Sequence, residues 1–427
     1  MKNFQMIILV VFVGGAIVGL LVFAGIIPLG KKTNTSAGTV TLWGTIPNSL
    51  ISDNLNKFGL VNTTFVLKYV QKDPATFDQE LLEAIASGTG PDMFILPDNL
   101  ILHYKDRIMP IPYTSYPLAS FKTNFVSASD VYLNTKGVLA LPIAVDPLIM
   151  YYNRSIFDAN GVVNPPNTWD GVQSIAPVIT KKTQEGQIIK SAIAFGQSSN
   201  IVSSKEILAT LFMQTGNPVV KNNGTGYLAT LANAGAPDLV STLNFYTSFA
   251  DPTNSVYSWN KGLPNSRDMF AAGNLGIYFG FGSELSNMTT KNPNLNFYIA
   301  PVPQIKDAQF KTTFAHTYGI AVSAYSKNVT TALNAAGLLT SSNFADTFSK
   351  ALLMAPARRD LLAVRQTDEY MPVIYGSALY SQSFLDPASA NTNVIFQRMV
   401  ENVLSNNLSA DSSLLDASNK LQLLLPN

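Results

Sequence analysis

The sequence predicts an α/β protein whose sheets are mostly parallel and flanked by helices. Residues 39–43 (TVTLW) alternate in polarity as a strand does, and a helix is expected from about residue 50. A second strand is expected at residues 65–69 (FVLKY), and a second helix opens at 73–74 (DP) and ends at Gly88. Strands that alternate with helices favour a parallel sheet, because parallel neighbours need a crossover between them.

Length and composition bound the architecture and the partners. A chain of 427 residues is too long for one compact core, so we expect two lobes. Charged residues make up 13% of the chain against roughly 25% in typical soluble domains, and the net charge is +1, without a cluster of Lys and Arg. This excludes a nucleic-acid footprint. The absence of cysteine excludes disulfides, thiol nucleophiles and thiolate metal sites.

The N-terminal segment predicts a membrane anchor. Residues 6–29 are apolar and uncharged, and at ~1.5 Å rise per residue such a helix spans the roughly 30 Å hydrocarbon core. The alternative is a cleavable signal peptide, whose apolar region is normally shorter, about 7–15 residues. We therefore assign residues 1–30 to a single-pass transmembrane anchor and residues 31–38 to a linker. Positive charges flank the anchor on both sides, at Lys2 and at Lys31 and Lys32, so they do not decide its orientation.

The strands expected further along the chain are short and apolar. They lie at residues 93–96, 191–195, 275–279, 296–301 and 318–323. The helices expected among and after them lie at residues 206–215, 238–250, 330–340, 344–354, 394–404 and 414–425. Ligands of open parallel sheets bind beyond the carboxyl ends of the strands, which directs attention to the loops there.

The most informative stretch is residues 139–157 (LALPIAVDPLIMYYNRSIF), which carries one acid, Asp146, in an apolar run. Pro142 and Pro147 lack backbone donors, so the run is predicted as strand segments that cross between two bodies. A carboxylate in such surroundings is costly unless it finds a partner. The alternative is an ordinary buried strand in which Asp146 is a turn residue beside Pro147.

Few residues suggest catalysis. The only histidines, His103 and His316, stand far apart, and surface or loop positions are expected for both. Asp98, Asp146 and Glu284 are candidates for an acid/base pair, which two carboxylates some 5–10 Å apart would provide in a glycosidase. No metal ligand set and no cofactor motif is recognised.

Three stretches carry a resemblance to a known family. They are residues 88–98 (GTGPDMFILPD), 141–170 (LPIAVDPLIMYYNRSIFDANGVVNPPNTWD) and 270–284 (FAAGNLGIYFGFGSE). In order and spacing, the chain from residue 39 onward resembles the extracellular solute-binding proteins of ABC importers, in the sugar-binding family that includes maltose-binding protein. The middle stretch is the most specific part of the match.

The resemblance implies a two-lobe periplasmic-binding-protein fold of type II, with ligand enclosed between the lobes by hinge closure. It places lobe one at residues 39–143 plus 276–320 and lobe two at residues 147–275 plus 321–427. It also implies ligand-binding positions, which are Thr45, Asp98, Asn99, Asp146, Ser198, Ser199, Asn200, Phe281, Ser283 and Glu284. Asp146 falls where the family places an acid that hydrogen-bonds a sugar hydroxyl at the hinge.

This sequence departs from the family at two aromatic positions. Ser283 stands where maltose-binding protein has a ligand-stacking tryptophan, and Leu96 replaces an aromatic residue of the other lobe. Each lost stacking face is worth about 1 kcal/mol, which argues against a copy of the maltodextrin site.

The resemblance therefore implies a monomeric, non-enzymatic solute-binding component that captures a sugar or oligosaccharide and delivers it to the transmembrane subunits of an ABC permease. Two other classes stay open. One is a membrane-tethered carbohydrate sensor or a protein that holds a surface polymer, and the other is a glycosidase that uses Asp146 with Glu284 or Asp98.

Overall fold

The computed structural model describes residues 38–62, 64–224, 226–232 and 237–426. The expected anchor at residues 6–29 lies outside these ranges. Within them, no helix combines the length and the apolar character needed to cross a membrane.

The strands, labelled in chain order, have the following bounds: β1 Thr39–Gly44, β2 Val66–Gln71, β3 Met93–Pro97, β4 Leu133–Asn134, β5 Gly137–Val138, β6 Ala140–Asn153, β7 Lys181–Lys182, β8 Ile188–Ile193, β9 Val220–Asn222, β10 Tyr227–Ala229, β11 Leu275–Phe281, β12 Phe297–Ala300, β13 Thr313–Val322, β14 Ala355–Pro356 and β15 Ser381–Gln382.

The α-helices are α1 Asn48–Val61, α2 Phe77–Ala86, α3 Ile101–Tyr104, α4 Leu118–Asn124, α5 Arg154–Ala159, α6 Trp169–Ile179, α7 Ser204–Gln214, α8 Pro237–Ser248, α9 Ser266–Ala271, α10 Leu285–Lys291, α11 Val329–Leu339, α12 Ser342–Ala351, α13 Arg359–Leu362, α14 Met371–Ala378, α15 Ser389–Leu404 and α16 Ala410–Leu424.

The large sheet runs through both lobes in the order β2-β1-β3-β13-β6-β11-β8-β7. In the first lobe β1 pairs in parallel with β2 and β3, as the alternation of strands and helices predicts. In the second lobe β11 pairs in parallel with β8. Strand β6 joins the halves, since it is antiparallel to β13 along its first part and antiparallel to β11 along its second.

Strand β6 is continuous and buried at every position, whereas separate strand segments were expected. Its two prolines explain how the strand stays intact. Pro147 is the last β6 residue paired with β13, and Leu148 is the first residue paired with β11, so the missing N–H falls where the partner changes. Pro142 pairs with Gly319 beside an irregularity in the β13 register. Each proline thus sits where the ladder is already interrupted.

The strand pairing distributes the chain differently from the lobe ranges expected above. Strand β11 pairs with β8 and with the second part of β6, so residues 276–281 lie with the strands of lobe two. Strand β13 pairs with β3 in the first lobe, and α12 packs against α1. Residues 329–351 therefore lie with the strands of lobe one.

Aromatic packing holds helix α6 against the sheet of the second lobe. The Trp169 ring lies 5.5 Å from Phe195 and 5.8 Å from Phe279, and its Nε1–H donates to Gln214 Oε1 at 2.7 Å. Thr168 caps α6, because its hydroxyl accepts from the Gly171 N–H at 3.3 Å. Pro177 lies inside α6, which continues to Ile179.

Candidate functional site

Asp146 lies at the point where β6 changes partners between the lobes. Its side chain is buried, with the residue 2% exposed, and Oδ1 accepts from the Ser283 N–H at 3.2 Å. Gly282 makes this approach possible, since a Cβ there would meet Leu353 O at 2.8 Å. Burial raises the pKa of Asp146 to about 6, while hydrogen bonds from Ser283 and the charge of His316 act in the opposite direction.

His316 faces Asp146 on the neighbouring strand, since the two are register partners in the β13–β6 pair. Its Nδ1 lies 3.1 Å from Asp98 Oδ1 and 3.3 Å from Oδ2, and Ser383 Oγ donates to Asp98 Oδ2 at 2.9 Å. Asp98 is therefore occupied by protein groups and is only 3% exposed. The expected surface or loop position of His316 is wrong, because it lies within a strand of the central sheet.

Aromatic rings border this polar cluster. The centroid of the Phe281 ring lies 4.6 Å from that of His316, and the Phe314 ring lies 5.0 Å from His316 in an edge-on arrangement. The Phe384 ring packs next to Phe314, with the two ring centroids 5.9 Å apart. The backbone carbonyl of Phe281 accepts from the buried Tyr151 hydroxyl, which fixes the end of β11.

Glu284 is committed to protein contacts. Its Oε2 accepts from Arg267 Nε and from the Tyr278 hydroxyl, each at 2.7 Å, and its Oε1 accepts from the Phe281 N–H at 3.1 Å. It closes the turn that brings the Ser283 N–H to Asp146. The Glu284 side chain therefore supports the turn that lies against Asp146.

The expected ligand residues 198–200 lie on the loop after β8, and their side chains have different surroundings. Asn200 holds the neighbouring loop, since its Nδ2 donates to Asn260 O and Leu263 O while its Oδ1 accepts from Trp259 Nε1 at 3.0 Å. Ser198 Oγ lies 2.6 Å from Ser204 Oγ. Ser199 is exposed.

Thr45 and Asn99 lie at the carboxyl edge of the first-lobe sheet. Thr45 directly follows β1, and Asn99 follows Asp98 after β3, with both half-buried. The structure thus brings Asp98, Asp146, Phe281 and Ser283 together around His316. Thr45 and Asn99 lie on the strand edge that carries Asp98, and residues 198–200 lie on a loop of the other lobe.

A buried ionic cluster next to this site escaped the sequence interpretation. Lys205 Nζ lies 2.6 Å from Asp386 Oδ2 and 3.5 Å from Glu206 Oε1, and it donates to Ser389 Oγ at 3.0 Å. Lys205, Glu206 and Asp386 are each buried. The only signal in the sequence is a Lys-Glu pair at the start of a strongly apolar helix, which does not reveal the partner at Asp386.

No cluster of three or more His, Asp or Glu side chains suitable for a metal ion occurs in the described ranges. The polar groups at and around His316 are instead two carboxylates, serine groups and the imidazole itself. Such a set can donate to and accept from the hydroxyl groups of a small polar molecule.

The family described as bacterial extracellular solute-binding protein matches residues 62–342, more than half of the chain. The chain belongs to this family. Membership implies that the binding domain of this solute-binding protein lies outside the cytoplasm. A binding protein of Brucella abortus strain 2308 is 24% identical over 230 residues, which are 53% of this chain and 52% of the relative. The chain thus spans about half the length of the curated relatives it matches.

Solved structures show the same two-lobe fold. A cyclo/maltodextrin-binding protein complexed with maltotetraose is 17% identical, with a TM-score of 0.73 over 92% of this chain and 98% of that one. The cyclic α-maltosyl-1,6-maltose-binding protein of Arthrobacter globiformis is 14% identical, with a TM-score of 0.76 over 91% and 99%. An ABC transporter solute-binding protein of Thermotoga lettingae TMO, bound with α-D-tagatose, is 18% identical, with a TM-score of 0.66 over 91% and 100%.

Proposed function

We propose that this protein is the extracytoplasmic solute-binding component of an ABC importer and that it captures a sugar or oligosaccharide between its lobes. The observation that carries the proposal is the meeting of Asp146 and His316 where β6 passes from one sheet half to the other. A ligand held there contacts both lobes. Binding energy gained at that point favours the closed arrangement of the lobes.

The chemistry of the site suits a polyol. Asp146 accepts hydrogen bonds, Ser283 and His316 bring hydroxyl and imidazole groups, and Phe281 offers an apolar face to a sugar ring. Because Asp146 is 2% exposed, a ligand reaches it when the lobes part, and closure then excludes water from the bonds. The sugars bound by the cyclo/maltodextrin- and tagatose-binding structures support a carbohydrate as the ligand.

A catalytic role finds little support in the same geometry. Glu284 is paired with Arg267, and Asp98 is paired with His316. Neither carboxylate is therefore free to act with Asp146 as a glycosidase pair. We infer that the protein binds its solute without making or breaking a bond.

Membership of the family supports a permease as the partner. We propose that the lobes present the solute to the transmembrane subunits of a permease and that residues 6–29 anchor the chain as a single span. For the lobes we propose a division in which residues 39–146 and 314–360 form lobe one, while residues 147–313 and the rest of the chain form lobe two. This division keeps β1, β2, β3 and β14 with the first part of β6, and β8, β11 and β12 with its second part, while β13 also pairs with β15 across the boundary.

A thermal-shift titration tests the function. The full chain is purified in lauryldimethylamine oxide, because maltoside detergents carry a sugar headgroup that competes for the site. Maltotetraose and D-tagatose are added, with sodium glutamate as a polar control that lacks a sugar ring. A sugar at 100 times its dissociation constant adds about 2.7 kcal/mol to the free energy of unfolding. Failure of both sugars to raise the melting temperature would contradict the proposed function.

A further inference from the structure

The two ring nitrogens of His316 differ in their contacts. Nδ1 is held by Asp98, which is itself 3% exposed, whereas the His316 side chain is 28% exposed. Within the described ranges, no group hydrogen-bonds Nε2. Nε2 is therefore the ring nitrogen that is left for a ligand, on a side chain that keeps partial access to solvent.

The surroundings of His316 favour its charged form. Burial alone would lower the pKa of His316, but the charge and the hydrogen bond of Asp98, with the charges of Glu206 and Asp146, raise that pKa to about 9. The adjacent rings of Phe281 and Phe314 carry no charge, and Lys205 is neutralised by Asp386. At neutral pH both ring nitrogens therefore carry protons, so Nε2 is a donor.

Asp146 supplies the complementary group. Directly opposed residues of an antiparallel pair point to the same face of the sheet, with Cβ atoms about 5 Å apart. His316 and Asp146 are such partners. A donor and an acceptor therefore lie side by side at the cleft, at a spacing that suits neighbouring groups of one ligand.

We propose that His316 determines ligand specificity, with its Nε2–H donating to one ligand oxygen while Asp146 accepts from the adjacent hydroxyl. The group recognised is a pair of neighbouring hydroxyls on a sugar. Asp98 is then a positioning residue, because it orients and charges His316 without touching the ligand. This inference rests on the proposed function and names the residue that recognises the ligand.

His103 provides a matched control, since its Nδ1 also lies 3.0 Å from an aspartate oxygen, Asp78 Oδ1, on the helical part of the first lobe. Calorimetric titration of the full chain with maltotetraose and D-tagatose compares wild type with His316→Phe, His316→Gln and His103→Phe. We expect His316→Phe to weaken binding about tenfold to a hundredfold, as loss of a charged hydrogen bond does, and His316→Gln to weaken it less, because an amide donor is kept. His103→Phe should leave the affinity unchanged.

A pH series adds a readout that a merely structural role would not move. Wild-type affinity should fall as the pH is raised through about 9, the pKa of His316, and that fall should be absent from His316→Gln. In imidazole NMR of a His103→Gln background, where His316 is the one histidine left in the chain, Asp98→Asn should lower the His316 pKa. The Asp98→Asn/His316→Gln double variant removes both charges of the pair, so it serves as the binding test if His316→Phe does not fold.

The outcomes separate the two proposals. Sugar binding by wild type that is unchanged in His316→Phe, or in the double variant, overturns the role of His316 and leaves the proposed function standing. Absence of sugar binding by wild type overturns both. Binding that is lost with His316 and kept in the His103 control supports the inference.

Discussion

Asp146 on β6 and His316 on β13 are directly opposed register partners. Asp146 immediately precedes Pro147, the last β6 residue that pairs with β13 before β6 pairs with β11. One is a buried carboxylate whose pKa burial raises to about 6. The other is an imidazole whose Nδ1 is hydrogen-bonded to Asp98. This pair links the hinge of the fold to the chemistry of the proposed cleft.

The stability of the protein should fall as the pH rises from about 6.5 to about 9. The folded-state pKa of His316 is raised from 6.5 to about 9, so the folded protein binds a proton more tightly than the unfolded chain does. This contribution is fully present below the unfolded pKa and is lost as the pH rises through the folded one. Urea unfolding across this range should show a shallower dependence of stability on pH for His316→Gln than for wild type. Equal slopes in the two proteins would count against a charged His316.

Glu284→Gln should lower the free energy of unfolding by about 2 kcal/mol. The substitution replaces an acceptor of charge-assisted bonds from Arg267 and Tyr278 with an amide, while Arg267 keeps partial access to water at 33% exposed. Urea unfolding measures the loss. Glu369→Gln, an exposed acid, should change stability by less than about 0.5 kcal/mol. A Glu284→Gln protein that keeps full stability but loses sugar affinity would show that Glu284 is a ligand residue after all.

Lys205→Met should destabilise the protein by about 3–5 kcal/mol, because it leaves Asp386 charged, buried and without its cation. The double variant Lys205→Met/Asp386→Asn should recover more than about 1 kcal/mol of that loss, since no unpaired carboxylate remains at position 386. Chemical denaturation of wild type, both single variants and the double variant gives the coupling free energy between Lys205 and Asp386. Additive losses would mean that the ion pair contributes nothing beyond its separate parts.

Asn200→Ala should cost about 1–3 kcal/mol of stability, because the buried Trp259 indole loses its acceptor and two backbone carbonyls lose a donor. Ser199→Ala, one residue earlier and exposed, is the matched control and should unfold like wild type. Thermal melts of both variants make the comparison. A stable Asn200→Ala would show that the loop at residues 260–263 does not depend on these bonds.

The sequence predicts most of the strands and helices because they carry clear periodicity. It places β1, β2 and β3 within a few residues of their observed bounds, and it singles out Asp146 from its apolar run. It does not reveal that Pro147 marks a change of strand partner, since pairing is a property of distant segments. The same reason hides Lys205–Asp386 and Asp98–His316, which join residues far apart in the chain. Glu284 and Asn200 look like ligand residues until their bonds to Arg267 and Trp259 are seen.

The most direct test of the central claim is a calorimetric titration of the full chain and its Asp146→Asn variant with maltotetraose and D-tagatose. Asparagine keeps the size of the side chain but loses the charge, so a hydrogen bond worth about 1.5–3 kcal/mol is weakened or lost, and the affinity should fall at least tenfold. Asp411→Asn, in the exposed first turn of α16, should bind as wild type does, and all three proteins should share a folded melting transition. Equal sugar affinity in wild type and Asp146→Asn would contradict the account, because the ligand would then bind without the residue at which the two lobes meet.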